Sequence, residues 1–380
     1  MSASAAAPLL HPAPGEGRLL AIEAARRAVM HGASQADLTV EGWIARSWRR
    51  CLAQGLDPQR SIEFDCISSA QMRRVEEANH DLLHSAAPLL EQLGRAIANT
   101  RFFALLTDAQ GVVIAASGAI DRADVRAERI TRVGVDLSEA AIGTSAIGAA
   151  LSELQPVWLH RGEHFFDTNA AYSCAGAPVI GPDGQCLGMV DVTGIDTFER
   201  PELRHLVLQT ARRMESALLL ARPHALLLRL NWPGAMLGAD GDGLLGLDQD
   251  GRVLAANEPA RQMLPLLHGA AAGSRCISDL LGISVDALFD AARRKQGAFE
   301  VPLWSGLCVQ VLAQHSHDAG VERRRMVGVA DAAPLKAVES ALIRNAIDKA
   351  RGNVAQAAQA LGISRATLYR KLGRRSGGEH

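Results

Sequence analysis

Hydrophobic positions change period along this chain, and each change marks a boundary. Ile22, Ala25, Val29 and Met30 fall at helical spacing, and residues 40–52 pattern a second helix. Gly55-Leu56-Asp57-Pro58 breaks the run. Residues 67–98 resume helical spacing, with an interruption expected near Pro88, which lacks a backbone donor. An N-terminal helical region is therefore expected over 18–98, behind a disordered Ala/Pro-rich tail at 1–17.

From residue 99 the pattern shortens. Residues 102–107 and 112–116 flank Asp108-Ala109-Gln110-Gly111, which reads as strand, turn, strand. Residues 177–180 and 186–192 flank Gly181-Pro182-Asp183-Gly184, a second hairpin. Between them, 137–154 reads as helical, and 199–220 as a closing helix. Two hairpins, a helical crossing and a terminal helix make an α+β sensor plan over 99–222. A third hairpin follows at 244–256 around Asp248-Gln249-Asp250-Gly251. Asn257 and Ala260 then open a helix, and strands are expected at 301–303 and 307–312.

The last periodic stretch is GNVAQAAQALGISRATLYRKL, residues 352–372. Asn353 is a good N-cap, and Val354, Ala357, Ala358 and Leu361 form one apolar face. Gly362 suits a sharp turn, Ser364 caps a second helix, and Leu368 and Leu372 give that helix an inner face. A helix-turn-helix follows. Its outer face carries Arg365, Thr367, Tyr369, Arg370 and Lys371. Arg365 sits where recognition helices reach base edges. Ser364, Thr367, Arg370 and Lys371 can donate to phosphates, and Tyr369 can meet phosphate or base.

Charge sharpens that reading. The chain carries a net charge of −1, yet residues 344–375 hold Arg344, Lys349, Arg351, Arg365, Arg370, Lys371, Arg374 and Arg375 against Asp348. A local basic cluster on a neutral chain fits contact with nucleic acid.

The phrases Gly352-Asn353, Ala357-Ala358, Leu361-Gly362-Ile363, Ser364-Arg365, Thr367-Leu368 and Lys371-Leu372 resemble the DNA-binding end of the Fis family, here taken as 335–375. Tyr369 departs from the basic residue usual there. The resemblance implies a homodimer on double-stranded DNA with an inverted-repeat operator, and Asn353, Ser364, Arg365, Thr367, Tyr369, Arg370 and Lys371 as contacts. Ser47-Trp48-Arg49-Arg50-Cys51 and the following Gly55-Leu56-Asp57-Pro58 resemble the leader of acetoin-catabolism-type regulators. Ala141-Ile142-Gly143-Thr144-Ser145, Gly162-Glu163-His164-Phe165 and Gly188-Met189-Val190-Asp191-Val192-Thr193-Gly194 resemble the GAF domain of those regulators. Residues 235–330 resemble a PAS domain. The fold implied is a multidomain α+β chain: helical segment, GAF-like sensor, PAS-like domain and all-α helix-turn-helix.

Relatives of this architecture carry an ATPase between sensor and DNA-binding end. None of Lys295, Lys336, Lys349 and Lys371 follows Gly or precedes Ser or Thr, so no GxxxxGK[ST] phosphate cradle is present. ATP-driven remodelling of the sigma-54 type is not expected. RNA polymerase or a full-length related regulator would be the further partner.

The sensor needs an apolar pocket with a few polar groups. Thr144, Trp158, His164, Phe165, Phe166, Tyr172, Cys174 and Asp191 are the candidate ligand contacts, because aromatics gather there in a chain with 4% aromatic residues. The resemblance suggests a small carbon metabolite or an aromatic. His160, His164, Cys174 and Asp191 match no metal spacing. Cys174 and Cys186 flank one hairpin, which leaves a thiol-based redox sensor, or an enzyme like the GAF-type methionine-sulfoxide reductases, as the competing reading. No catalytic residue, metal or cofactor is expected. The six cysteines form no CxxC pair, the start lacks a signal-peptide pattern, and the apolar run at 217–230 is broken by Arg222, Pro223 and Arg229. A cytoplasmic protein off the membrane is the expectation.

Overall fold

The computed structural model describes residues 16–32, 39–315 and 354. Asn353, Ser364, Arg365, Thr367, Tyr369, Arg370 and Lys371, and the helix-turn-helix they belong to, lie outside the described residues apart from helical Val354. Residues 16–315 fall within one compact unit.

Four helices come first: α1 (Glu16–Met30), α2 (Gly42–Ala53), α3 (Ser69–Ala78) and α4 (His80–Ala96). α1 begins at Glu16, so the tail expected over 1–17 gives way to helix two residues early. Ser68 opens α3 with a capping box, its hydroxyl accepting from Gln71 N while Gln71 Oε1 accepts from Ser68 N. The interruption expected at Pro88 falls instead at Asn79, which separates α3 from α4. Pro88 sits inside α4, and the His84 carbonyl it leaves without a helical donor belongs to an exposed residue, open to solvent.

The first sheet and its helices follow as β1 (Phe102–Asp108), β2 (Val113–Gly118), α5 (Val125–Ile130), α6 (Glu139–Ile142), α7 (Ala146–Glu153), β3 (Val157–His160), β4 (Tyr172–Ile180), β5 (Cys186–Ile195) and α8 (Leu203–Ala221). The strands run antiparallel in the order β2-β1-β5-β4-β3. The turn between β1 and β2 closes because Asp108 Oδ1 accepts from Gln110 N and Val112 N, each at 2.9 Å. The helix expected over 137–154 is two helices. Gly143 between them has φ +66°, and a Cβ there would lie 2.9 Å from Phe165 Cβ.

Strand alternation sorts this sheet into two faces. Phe102, Ala104, Leu106, Trp158, Ala175, Val190 and Val192 face α4 and α8. Phe103, Leu105, Leu159, Cys174 and Met189 face a core completed by Ile22, Val29, Trp43, Ile44 and Trp48 of α1 and α2. The leading helices therefore share the sheet's core. Trp48 has no exposed surface, and its Nε1 donates to the Glu163 carbonyl at 2.8 Å.

The second sheet comprises β6 (Leu226–Asn231), β7 (Gly243–Leu247), β8 (Val253–Ala256), then α9 (Glu258–Met263) and α10 (Val285–Arg293), then β9 (Phe299–Pro302) and β10 (Cys308–His315). Its order is β8-β7-β6-β10-β9, again antiparallel. Asp248 Oδ1 closes the β7–β8 turn as Asp108 closes the first, and Asn257 caps α9 by accepting from Ala260 N. One face packs on α9 and α10. The other gives Leu227, Leu244 and Ala255 to Leu219 and Leu220 at the end of α8. α8 thus serves both sheets. Beside it, the Pro182 carbonyl accepts from Ala256 N at 3.0 Å and from buried Arg261 at 2.7 Å, and Arg222 pairs with Asp183. Among the described residues no helix is long and apolar enough to cross a membrane.

Candidate functional site

A cavity opens on the face of the first sheet turned toward α5, α6 and α7. Strand alternation places Cys174 of β4 and Asp191 and Thr193 of β5 on that face, and Tyr172 stands at the start of β4. The loop between β3 and β4 brings in His164 and Asn169. Leu105, Ile130, Leu137, Ile142, Ile147 and Phe64 supply apolar wall. The cavity they enclose is small, with a volume of about 30 Å³. That suits a few ordered waters or one small molecule.

The polar groups form a chain along the wall. His164 is fully enclosed, and burial pushes its imidazole down to about 4, so it is neutral. Its Nδ1 lies 2.9 Å from the Arg161 carbonyl, which can only accept, so Nδ1 carries the proton and Nε2 is an acceptor. Nε2 faces Cys174 Sγ at 3.5 Å, and Sγ lies 3.2 Å from Thr193 Oγ1. Thr193 Oγ1 also bonds Asp191 Oδ2. Asp191 has no exposed surface, and loss of water raises its carboxyl to about 7. Its Oδ1 has no hydrogen-bond partner among the described residues, nor has Asn169 Oδ1. Two buried acceptors are thus left open in one cavity, an arrangement that costs stability unless water or a ligand fills it.

The cavity loop is held from outside by α1. Arg26 donates to the carbonyls of Gly162, His164 and Phe165 and to the Asp167 carboxylate. Arg18 reaches Glu163, whose other oxygen accepts from His160 N at 2.7 Å. The α6–α7 wall is held by α2. Arg50 takes both oxygens of Glu139, at 2.8 and 2.9 Å, and Ser47 meets Thr144 Oγ1 at 2.7 Å.

Of the eight ligand candidates, His164, Tyr172, Cys174 and Asp191 line this cavity. The other four do not. Trp158 points to the opposite face of the sheet, one residue out of phase with Leu159. Phe165 and Phe166 meet edge to face at 5.2 Å within the core. Thr144 turns outward to Ser47 and Cys51. Sequence reasoning missed Thr193, Asn169, Ser145 and Phe64. Thr193 was within reach, since it follows Asp191 by two on one strand and must share its face.

The approach of Cys174 to Cys186 is corrected. Cys174 pairs across the hairpin with Thr193, whereas Cys186 pairs with Ile180. Six residues of strand separate the two sites, about 20 Å, far beyond disulfide reach. Burial also drives the Cys174 thiol well above its ordinary range, away from the reactive thiolate. His160 does not join a metal set either. It stacks on Trp158 and bonds Ser173 at 2.8 Å, on the face away from His164.

Comparison with known proteins supplies a frame. Residues 20–215 match the family described as MimR, N-terminal domain, and residues 334–374 match Bacterial regulatory protein, Fis family. The acetoin catabolism regulatory protein of Cupriavidus necator is 31% identical over 267 residues, 67% of this chain and 39% of that protein. The acetoin dehydrogenase operon transcriptional activator AcoR of Bacillus subtilis is 34% identical over 40% of this chain and 25% of its own length. The propane 2-monooxygenase operon transcriptional activator MimR of Mycolicibacterium goodii is 30% identical over 47% of this chain and 30% of its own length. The chain thus spans no more than about two fifths of these relatives. Among solved structures, the E. coli DhaR(N)-DhaL complex aligns with a TM-score of 0.44 at 16% identity, over 72% of this chain and 99% of that one.

Proposed function

This chain belongs to the family of the MimR N-terminal domain and ends in a Fis-family regulatory segment, and on that premise we propose that it is a ligand-responsive, sequence-specific DNA-binding regulator of transcription. The first sheet with its helices is a GAF-like sensor over 99–222, joined to the helical region at 18–98. The second sheet is a PAS-like domain over 235–330. Residues 335–375 form the DNA-reading helix-turn-helix of a homodimer. RNA polymerase or a full-length related regulator is the further partner.

The observation that carries this reading is the pairing, in one chain, of a buried, mostly apolar cavity with open acceptors and a basic Fis-family end. The first supports ligand sensing and the second supports DNA binding. The cavity favours a small uncharged molecule. Among the described residues no Lys or Arg lines it, and the neutral His164 offers no positive charge to an anion. A ligand acts only if it binds one arrangement of the domains more tightly than another.

Genome-wide mapping of bound DNA tests the core of this proposal. Wild-type occupancy at a shared inverted repeat, lost with Arg365→Ala, is the expected result. Diffuse occupancy unchanged by the substitution overturns it.

A further inference from the structure

Within the effector cavity, and resting on its reading as one, we propose that Asp191 makes ligand binding proton-linked and selects the ligand's functional group. As a carboxylate, Asp191 accepts from a ligand hydroxyl. As a carboxylic acid, it donates its own proton to a ligand carbonyl.

Hydrogen-bond arithmetic leads there. Thr193 Oγ1 contacts both Asp191 Oδ2 and Cys174 Sγ but has one proton to give. When Asp191 is ionised, Thr193 donates to it, and the Cys174 thiol donates to Thr193 Oγ1 or to His164 Nε2. When Asp191 is protonated and its proton lies on Oδ2, it donates to Thr193, which turns its own proton toward Cys174. When the proton lies on Oδ1, it stands as a donor facing the cavity. Both protonation states are therefore compatible with the wall, and the state facing a ligand is set at Oδ1, which is unpartnered on a residue with no exposed surface.

Among the described residues nothing else in the cavity sets the charge. The loop contributes His164, and β4 contributes Tyr172 and Cys174, while β1, α5, α6 and α7 present uncharged side chains. His164 stays neutral down to about 4, and burial pushes the Tyr172 hydroxyl and the Cys174 thiol upward. Near neutral pH, Asp191 is the cavity group that changes charge, with its carboxyl near 7. Binding a carbonyl ligand keeps the carboxyl proton, or draws one from solvent where Asp191 is ionised, whereas a hydroxyl ligand, which both donates and accepts, binds either state.

The test uses the full-length protein and two probes of similar size, 1,2-propanediol and butanone, followed by ligand-observed NMR. Butanone's affinity is expected to fall about tenfold from pH 6 to pH 8, the span of one linked proton titrating near 7, while the diol, whose hydroxyls both donate and accept, is expected to change by less. Asp191→Asn should make both affinities independent of pH. Thr193→Val removes a hydroxyl that favours the carboxylate, so it should move butanone's midpoint to higher pH. A difference infrared spectrum of wild type against Asp191→Asn reads the carboxylic acid directly, without a ligand. Binding of the probes with no pH dependence overturns this proposal alone. No binding of either probe at either pH, with the acid band present, overturns the effector reading of the cavity and this proposal with it.

Discussion

The carboxylate of Glu163 is fully buried, and the guanidinium that neutralises it is Arg18, 145 residues earlier in the chain. Through that pair, helix α1 is fixed to the loop that carries His164 and Asn169. Burial raises Glu163 to about 7 even with Arg18 in place. Removing Arg18 removes the largest opposing influence, so the carboxyl rises further. Arg18→Ala should destabilise the fold by about 1–3 kcal/mol, less than a fully enclosed pair because Arg18 is 31% exposed. The loss should be larger at pH 8, where the carboxyl must ionise, than at pH 5, where it is protonated. Thermal melts at the two pH values check this. An equal loss at both contradicts it.

Glu215 gives a second pH signature. It lies on α8, 4% exposed, with Oε1 accepting from Ile180 N at 2.9 Å. Burial raises its carboxyl to about 8. A group raised in the folded state contributes stability below its unfolded pKa, and that stability is lost as pH rises through the folded value. Glu215→Gln keeps the acceptor for Ile180 and cannot ionise. It should leave stability at pH 5 nearly unchanged and raise it by roughly 1–3 kcal/mol at pH 9. Chemical denaturation at both pH values measures the difference, and a gain confined to pH 5 would sink the argument.

Gly143 tests the geometry of the cavity wall. Alanine there must hold φ near +66° with its Cβ 2.9 Å from Phe165 Cβ and 3.0 Å from Phe166 Cε2. Strained backbone costs about 1–3 kcal/mol, and crowding adds a similar amount. Gly143→Ala should therefore lower stability and displace the Phe165 backbone next to His164. A matching shift in the His164 ring resonances by NMR is the expected companion. A stable variant with unshifted His164 resonances would mean the wall yields freely.

Arg365 and Lys371 divide the DNA work if the helix-turn-helix reads as proposed. Arg365→Ala should cost about 1–3 kcal/mol at one base position and relax preference there. Lys371→Ala should weaken binding to all sequences and reduce the salt slope by about one. Fluorescence anisotropy on specific and random duplexes at several salt concentrations separates the two. Equal losses on both duplexes from both variants would remove the division of roles.

Local signals were legible in the sequence where one residue's chemistry decides the outcome. Asp108 and Asp248 close their turns with their own side chains, and Asn257 caps its helix, so the first and third hairpins and α9 could be read directly. What depends on distant partners could not. Gly143 divides a helical pattern because Phe165 approaches from elsewhere in the chain, and Pro88 stays in a helix because tertiary packing holds α4 together. The cavity shows the same split. Aromatic clustering drew attention to residues 158–172, but strand phase sent Trp158 to the wrong face, and the core absorbed Phe165 and Phe166. The expected DNA contacts rest on motif and charge, and they lie outside the described residues.

Helix α8 lends hydrophobic side chains to two cores at once, and this opposes a hinge within it. A hinge needs a stretch that bends without cost, and every bend here would pull Met214 from the first core or Leu220 from the second. Its 19 residues behave as a beam of about 28 Å. A beam carries torque. A small rotation of the helix against the first sheet would be felt at the second, because the same backbone is packed into both.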